Sequence, residues 1–216
     1  MADNLSKERI LKKIQAALLE KTPKPYDDIE WQTDVYAKKD DDLALVFAES
    51  FQKVQGQFVY CENLEELVTQ LSTLSKEKGW KNLHCWHPDL QEVFKELDFR
   101  LCRIGKNLDK ADVGITTCEA LVARTGSILV SSALPSGRAL SVFPPVHVCI
   151  AYTSHLVYDI SDALEIMHKH YGFHLPSNIS LITGPSRTAD IEKTLVLGAH
   201  GPKEVYVFLL DAPEEA

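Results

Sequence analysis

The sequence lacks the short signatures that announce a cofactor or a covalent catalyst. It contains no GxGxxG, no Walker-type phosphate loop and no GxSxG, so nothing points to dinucleotide binding, NTP hydrolysis or α/β-hydrolase chemistry. Its five cysteines, at 61, 85, 102, 118 and 149, form no CxxC. Zinc and iron–sulfur spacings are therefore missing, and the odd count argues against a complete internal disulfide framework. No HExxH occurs, and no metal site is assigned. No apolar run approaches the ~20 residues of a membrane span. The start, MADNLSKERILKK, has neither the basic end nor the apolar core of a signal peptide, so the expected location is cytoplasmic, with reduced and mostly buried thiols. Cations are outnumbered, 23 Lys+Arg against 31 Asp+Glu, for a net charge of −8. That balance argues against a general nucleic-acid binder, which needs cations for the phosphates.

What is present is an ordinary globular composition, 45% hydrophobic and 25% charged, over 216 residues. This suits one domain with an arm. The arm is residues 1–40. Residues 1–42 hold 18 charges, and Ile10, Ile14, Ala17 and Leu18 recur at helical spacing. A helix is predicted from Ser6, its N-cap, to Glu20, followed by an extended linker over 22–40 with Trp31 and Tyr36 as anchors. The apolar stripe can pack on its own domain or on another subunit, so a homo-oligomer is compatible with it.

From residue 41 to 216, helical and strand patterns alternate. Helices are predicted around Leu43–Val54 (with Gly56 as the stop), Leu64–Leu74 (Asn63 and Glu66 forming a capping box, Gly79 ending it), Asp89–Leu97, Ile160–Tyr171 and Thr188–Leu197. Strands are predicted at Phe58–Cys61, Leu83–Trp86, Val113–Thr116, Ser127–Ser132, Val146–Tyr152, Ile179–Thr183 and Val205–Leu210. Strands alternating with helices predict an α/β domain built on a mostly parallel sheet. Residues 111–158 contain only Asp112, Glu119, Arg124 and Arg138 as charges, which suits central strands covered on both faces.

Three segments could carry chemistry. Around Gly184, Ser186, Arg187 and Thr188 a strand ends, the chain turns and the predicted helix begins. Its free N–H groups, the hydroxyls and the guanidinium would receive a carboxylate or phosphate, and Asp190 lies in its first turn. Around Thr125, Gly126 and Ser127 a glycine permits close backbone approach and two hydroxyls are offered. Glu119 is the only acid between 113 and 158, a candidate base or nucleophile. His147 and His200 stand beside turns. The catalytic candidates are thus Glu119, Asp190 and His200, and the others are ligand-binding candidates. A small anion is the expected ligand.

Ala123-Arg-Thr-Gly-Ser127, Pro144-Pro145 with His147, Gly184-Pro-Ser-Arg-Thr-Ala-Asp-Ile191 and Gly198-Ala-His-Gly-Pro202 occur in that order. Together they resemble the LUD-domain family, of the lactate utilisation protein C (LutC/YkgG) type, most strongly across 111–211. The resemblance implies a three-layer α/β/α sandwich similar to ribose-5-phosphate isomerase, glucosamine-6-phosphate deaminase and the CoA transferases. It also implies a part in oxidising L-lactate to pyruvate beside iron–sulfur partner proteins, with no cofactor in this chain. By fold analogy alone, a stand-alone enzyme on a sugar phosphate or acyl-CoA is a second reading, and a non-catalytic interaction module is a third. One departure stands out: relatives usually carry an acid before Thr-Gly, where this chain has Arg124. An arginine lining a pocket there would favour an anionic ligand.

Overall fold

The structure, a computed structural model, describes residues 2–19, 42–105, 107–191, 194–198 and 200–211, without the side chains of 2–6, 189–191 and 194–197. Two units are distinguished, Met1–Lys39 and Asp40–Ala216. In the first, α1 spans Ala2–Leu19 and exposes Ile10, Leu11, Ile14 and Leu18. It begins four residues before the predicted Ser6 cap. The linker over 22–40, with Trp31 and Tyr36, lies outside the described residues.

In the second unit the elements follow as α2 (Leu43–Lys53), β1 (Gln57–Cys61), α3 (Leu64–Lys78), β2 (Leu83–Cys85), α4 (Pro88–Glu96), β3 (Cys102–Arg103), β4 (Val113–Thr116), β5 (Ala120–Val122), β6 (Ser127–Ser131) and β7 (Val146–Tyr152). After a 3-10 turn at Thr153–His155 come β8 (Leu156–Val157), α5 (Ile160–Tyr171), β9 (Ile179–Ile182), β10 (Arg187–Ile191), β11 (Thr194–Leu197) and β12 (Glu204–Leu210). Local chemistry sets several boundaries. Asn63 Oδ1 accepts from Glu66 N–H at 2.9 Å and the Glu66 carboxylate accepts from Glu62 N–H at 2.9 Å, which opens α3. Gly79, at φ 72°, closes it in the left-handed conformation. Pro88 opens α4, where its missing N–H costs nothing.

Six strands form one all-parallel sheet in the order β1-β12-β7-β4-β2-β3. Alternation along its strands builds two cores. Val148, Ile150 and Phe208 face α3 and α4 (Leu67, Leu71, Leu90, Phe94). Cys149, Ala151, Val207 and Leu209 face Phe47 and Phe51 of α2 and Leu121, Ile128 and Val130. The last three belong to a second sheet, β8-β5-β6-β9. Its other face, Ala120, Val122 and Leu129, is covered by Ala163 and Met167 of α5. The α/β architecture with a mostly parallel central sheet is as expected. Burying each of Phe47 and Phe51 completely is worth about 1.5–3 kcal/mol, so α2 is firmly seated.

Three local expectations are corrected. The segment Thr188–Leu197 is not a helix but the antiparallel hairpin β10-β11, in which Arg187 pairs with Leu197 and Ile191 with Thr194. Its β-branched residues Thr188, Ile191, Thr194 and Val196 favour strands, and a register shift between Thr188 and Ile191 hides the alternation. No helix therefore begins at Ser186–Thr188. Second, strands 127–131 and 179–182 leave the parallel sheet and pair antiparallel with each other. Third, the residue that takes positive φ after α2 is Gln55, at 67°, rather than Gly56. Gly56 is needed instead because a Cβ there would meet the Phe51 ring at 2.4 Å.

Candidate functional site

Open parallel sheets present their loops, and usually their ligands, at the carboxyl ends of the strands. Here the two central strands β4 and β7 end at Thr116 and Tyr152. Cys118 and Glu119 follow β4, and the turn Thr153–His155 follows β7. Glu119 is 9% exposed. Its backbone N–H donates to Leu129 O at 2.8 Å, which fixes it beside β6. Ser131 Oγ donates to Glu119 Oε1 at 2.5 Å, and Tyr171 Oη, from the end of α5, donates to the same oxygen at 2.8 Å. Among the described residues Oε2 has no hydrogen-bond partner. Burial, and then the Glu119 carboxylate, push the Tyr171 phenol above its ordinary pKa, so it stays a donor. Glu119 is thus a carboxylate clamped through one oxygen with the other open.

The thiol and imidazole beside it are not a nucleophilic pair. Cys118 Sγ lies 3.9 Å from His155 Nδ1, but that nitrogen accepts from Tyr152 N–H at 3.1 Å, so its proton sits on Nε2. A hydrogen bond with Cys149, together with burial, raises Cys118 well above the usual thiol range. Burial lowers His155, with Glu119 opposing. Both remain neutral at pH 7, and Cys118 has no base to activate it. Among the described residues no group of three His, Cys, Asp or Glu could hold a metal ion.

Thr125, Gly126, Ser127, Gly184 and Arg187 do meet, at the other end of the β5-β6 hairpin. Thr125 Oγ1 and Ser127 Oγ are 2.8 Å apart, and Ser127 Oγ is 2.8 Å from Thr183 Oγ1. The two glycines face α2 rather than open space. A Cβ on Gly126 (φ 60°) would lie 2.4 Å from Phe51 N, and one on Gly184 (φ 80°) 2.1 Å from Val54 O. Arg187 Nη2 donates to that same Val54 carbonyl at 3.0 Å, a cation on the last carbonyls of a helix. Arg124 pairs with Asp159 at 2.7 Å and holds that carboxyl below its usual range. Asp159 in turn caps α5.

The remaining candidates are dispersed. Ser186 N–H donates to Pro202 O and Ser186 O accepts from Gly198 N–H, both at 2.9 Å, closing the base of the β10-β11 hairpin that includes Thr188. The Asp190 side chain lies outside the described residues. His147 is fully buried, with Nε2 2.9 Å from Thr116 Oγ1 and Nδ1 without a partner among the described residues, and burial lowers its pKa to about 4. His200 is exposed and lines a cavity of about 440 Å³ with Phe143, Pro145 and Lys203, at the amino ends of β7 and β12. That is the opposite edge of the sheet from Glu119. Ser131 and Tyr171, which reach Glu119, were missed in the sequence.

Similarity to known proteins runs through this unit. The chain is 38% identical over 109 residues to lactate utilization protein C of Bacillus subtilis, covering 49% of this chain and 45% of that protein. To lactate utilization protein C of an Exiguobacterium species it is 32% identical over 179 residues, 81% of this chain and 69% of that protein. The chain spans about half the length of the first curated relatives it matches. A crystal structure of a DUF162 family protein from Deinococcus radiodurans shares the fold, with a TM-score of 0.56 at 17% identity over 78% of this chain and 96% of that one. The LUD domain model matches residues 44–210, nearly all of the second unit, and the chain belongs to the LUD-domain family.

Proposed function

We propose that this chain is a component of an L-lactate utilisation system and that it binds a small anionic ligand at the carboxyl edge of its parallel sheet. The observation that carries this is the likeness to lactate utilization protein C, at 38% identity to the Bacillus subtilis protein. Oxidising L-lactate to pyruvate removes two electrons and two protons from the carbinol. In this reading the electrons pass to iron–sulfur clusters in partner proteins, and this chain carries no cofactor of its own, in keeping with cysteines that form no CxxC. The system is placed in the cytoplasm. No helix among the described residues is long and apolar enough to cross a membrane. Glu119 is the group with chemistry to offer, because its open Oε2 can accept a hydroxyl proton.

The test is genetic and biochemical. A strain lacking the chain should lose growth on L-lactate as sole carbon source and recover it with the wild-type gene. Tagged chain should co-purify iron–sulfur proteins from lactate-grown cells. Undiminished growth of the deletion strain on L-lactate would remove the reading.

A further inference from the structure

One polar side chain interrupts the apolar strand β2. Leu83 and Cys85 belong to the core against α3 and α4, so His84 between them faces the other side of the sheet. In register with it stand Arg103 on β3 and Gly114 on β4. A Cβ on Gly114 would come within 2.0 Å of Leu140 O, so the loop before β7 lies directly on the sheet beside His84. On the β3 side, Gly105 O accepts from His84 Nδ1 at 2.9 Å. A carbonyl only accepts, so Nδ1 carries the proton. His84 is 6% exposed, yet its Nε2 has no hydrogen-bond partner among the described residues. His84 lines a cavity of about 460 Å³, within the size range of small-molecule sites. Arg103 from β3 and Lys110 from the turn before β4 line the same cavity. Neither side chain makes a hydrogen bond or ion pair among the described residues. Asn82, held through its backbone N–H by Asp112 at 2.9 Å, adds a side-chain amide, and Asp109 adds one carboxylate.

We propose that this cavity binds a phosphate monoester whose organic part carries hydroxyls, with the phosphoryl group on Arg103 and Lys110 and a hydroxyl donating to His84 Nε2. A phosphate monoester holds close to two negative charges at pH 7. Two cations reaching one cavity from separate segments suit that charge, and a guanidinium fork can take two phosphoryl oxygens at once. Asp109 works against a bare polyanion, because its carboxylate repels a second negative group, but it accepts readily from a hydroxyl. His84 Nε2 sets the same requirement: a buried acceptor without a donor gains from a ligand that brings one. Neither Glu119 nor any residue hydrogen-bonded to it lines this cavity, so the inference stands apart from the lactate reading.

Calorimetric titration of the purified full chain with glycerol 3-phosphate, ethyl phosphate (no hydroxyl), glycerol (no phosphate) and sulfate tests it. The expected order of affinity is glycerol 3-phosphate, then ethyl phosphate, then sulfate, with no binding of glycerol. Arg103→Ala should weaken both esters by about tenfold or more, the scale of a lost charge-assisted bond, and Lys110→Ala should weaken both by less. Both side chains are exposed, so the thermal midpoints of these variants should not move. His84→Asn keeps an N–H for Gly105 O and removes the Nε2 acceptor. It should lower the affinity for glycerol 3-phosphate to that for ethyl phosphate and leave ethyl phosphate unchanged. A histidine that only ties down the loop would leave the ratio of the two esters as it is in wild type, and that result would overturn its role. Wild-type protein that binds neither ester, or Arg103→Ala that binds both as wild type does, would overturn the site. Sulfate bound as tightly as glycerol 3-phosphate would mean an adventitious ion only, and would overturn it too.

Discussion

Two hydroxyl clusters lie at opposite ends of the β5-β6 hairpin, and they are built for different purposes. At the turn end, the Thr125, Ser127 and Thr183 hydroxyls pass hydrogen bonds only to one another among the described residues. The glycines beside them are filled by the backbone of α2, and Arg187 is occupied by the Val54 carbonyl. At the other end, Ser131 and Tyr171 converge on one oxygen of Glu119 and leave its second oxygen free. The first cluster closes on itself and serves packing, whereas the second ends in an unspent acceptor. Glycine, hydroxyl and arginine in a turn look the same in a sequence whether they receive a ligand or a neighbouring helix. Only the identity of what fills the space separates the two.

The largest effect should come from disturbing the packing end. Gly126→Ala puts a methyl 2.4 Å from Phe51 N at a φ of 60°. Backbone cannot retreat as a flexible side chain can, so strain and overpacking together should cost about 3 kcal/mol, measured by urea unfolding. If Gly126 instead faced a ligand, the same substitution would reduce anion binding with stability unchanged, and the contrast between the two ends would fail.

The legibility of the chain follows the same division. Strands β4, β7 and β12 could be read because each is a dense β-branched or aromatic run between turns, buried on both faces. The β10-β11 hairpin could not. Ala189, Asp190, Glu192 and Lys193 interrupt the β-branched residues, and the register shift breaks the period that marks a strand. Glu119 was legible as a lone acid. Its donors were not, since Ser131 and Tyr171 come from 12 and 52 residues away and only the fold unites them. The second sheet was also hidden, because a fully buried antiparallel strand such as β6 has the same apolar content as a parallel one.

A third polar site, closed to solvent, extends the comparison through pH. His147 is neutral in the fold with a pKa of about 4, and in the unfolded chain it has the ordinary imidazole value of 6.5. Below pH 6.5 the unfolded chain therefore binds the proton the folded chain refuses. Stability is complete above 6.5 and falls as the pH drops toward 4, by about 3 kcal/mol from this group. Asp98, Asp159 and Glu204 also lose stabilisation in acid, so the readout is a difference. Unfolding of wild type and His147→Gln at pH 7 and pH 4.5 should show a shallower loss in the variant. Equal losses would mean that His147 reaches solvent and belongs with the open site.

Tyr171→Phe tests the open end more gently. It removes one of two donors to Glu119 and leaves the ring in place. A hydrogen bond to a charged group is worth about 1.5–3 kcal/mol, and Tyr171 is only partly buried, so a loss near the lower bound of about 1.5 kcal/mol is expected in thermal or urea unfolding. The remaining Ser131 bond should keep Glu119 in position. Loss of ligand affinity far beyond this stability change would show that the phenol touches the ligand itself.

The smallest effect should come from Arg187→Ala, and it discriminates best between the two ends. Arg187 is exposed and donates one hydrogen bond to Val54 O, near the carboxyl end of α2. Solvent screens that charge, and water can replace the lost donor, so the cost should be about 0.5 kcal/mol, close to the limit of urea unfolding. Titration with L-lactate or propionate should match wild type, because the guanidinium is already turned toward the helix and no candidate acid stands beside it among the described residues. If Arg187→Ala were the variant that lost anion affinity, the ligand would lie at the glycine turns after all. The hydroxyls of Thr125, Ser127 and Thr183 would then have to open toward it.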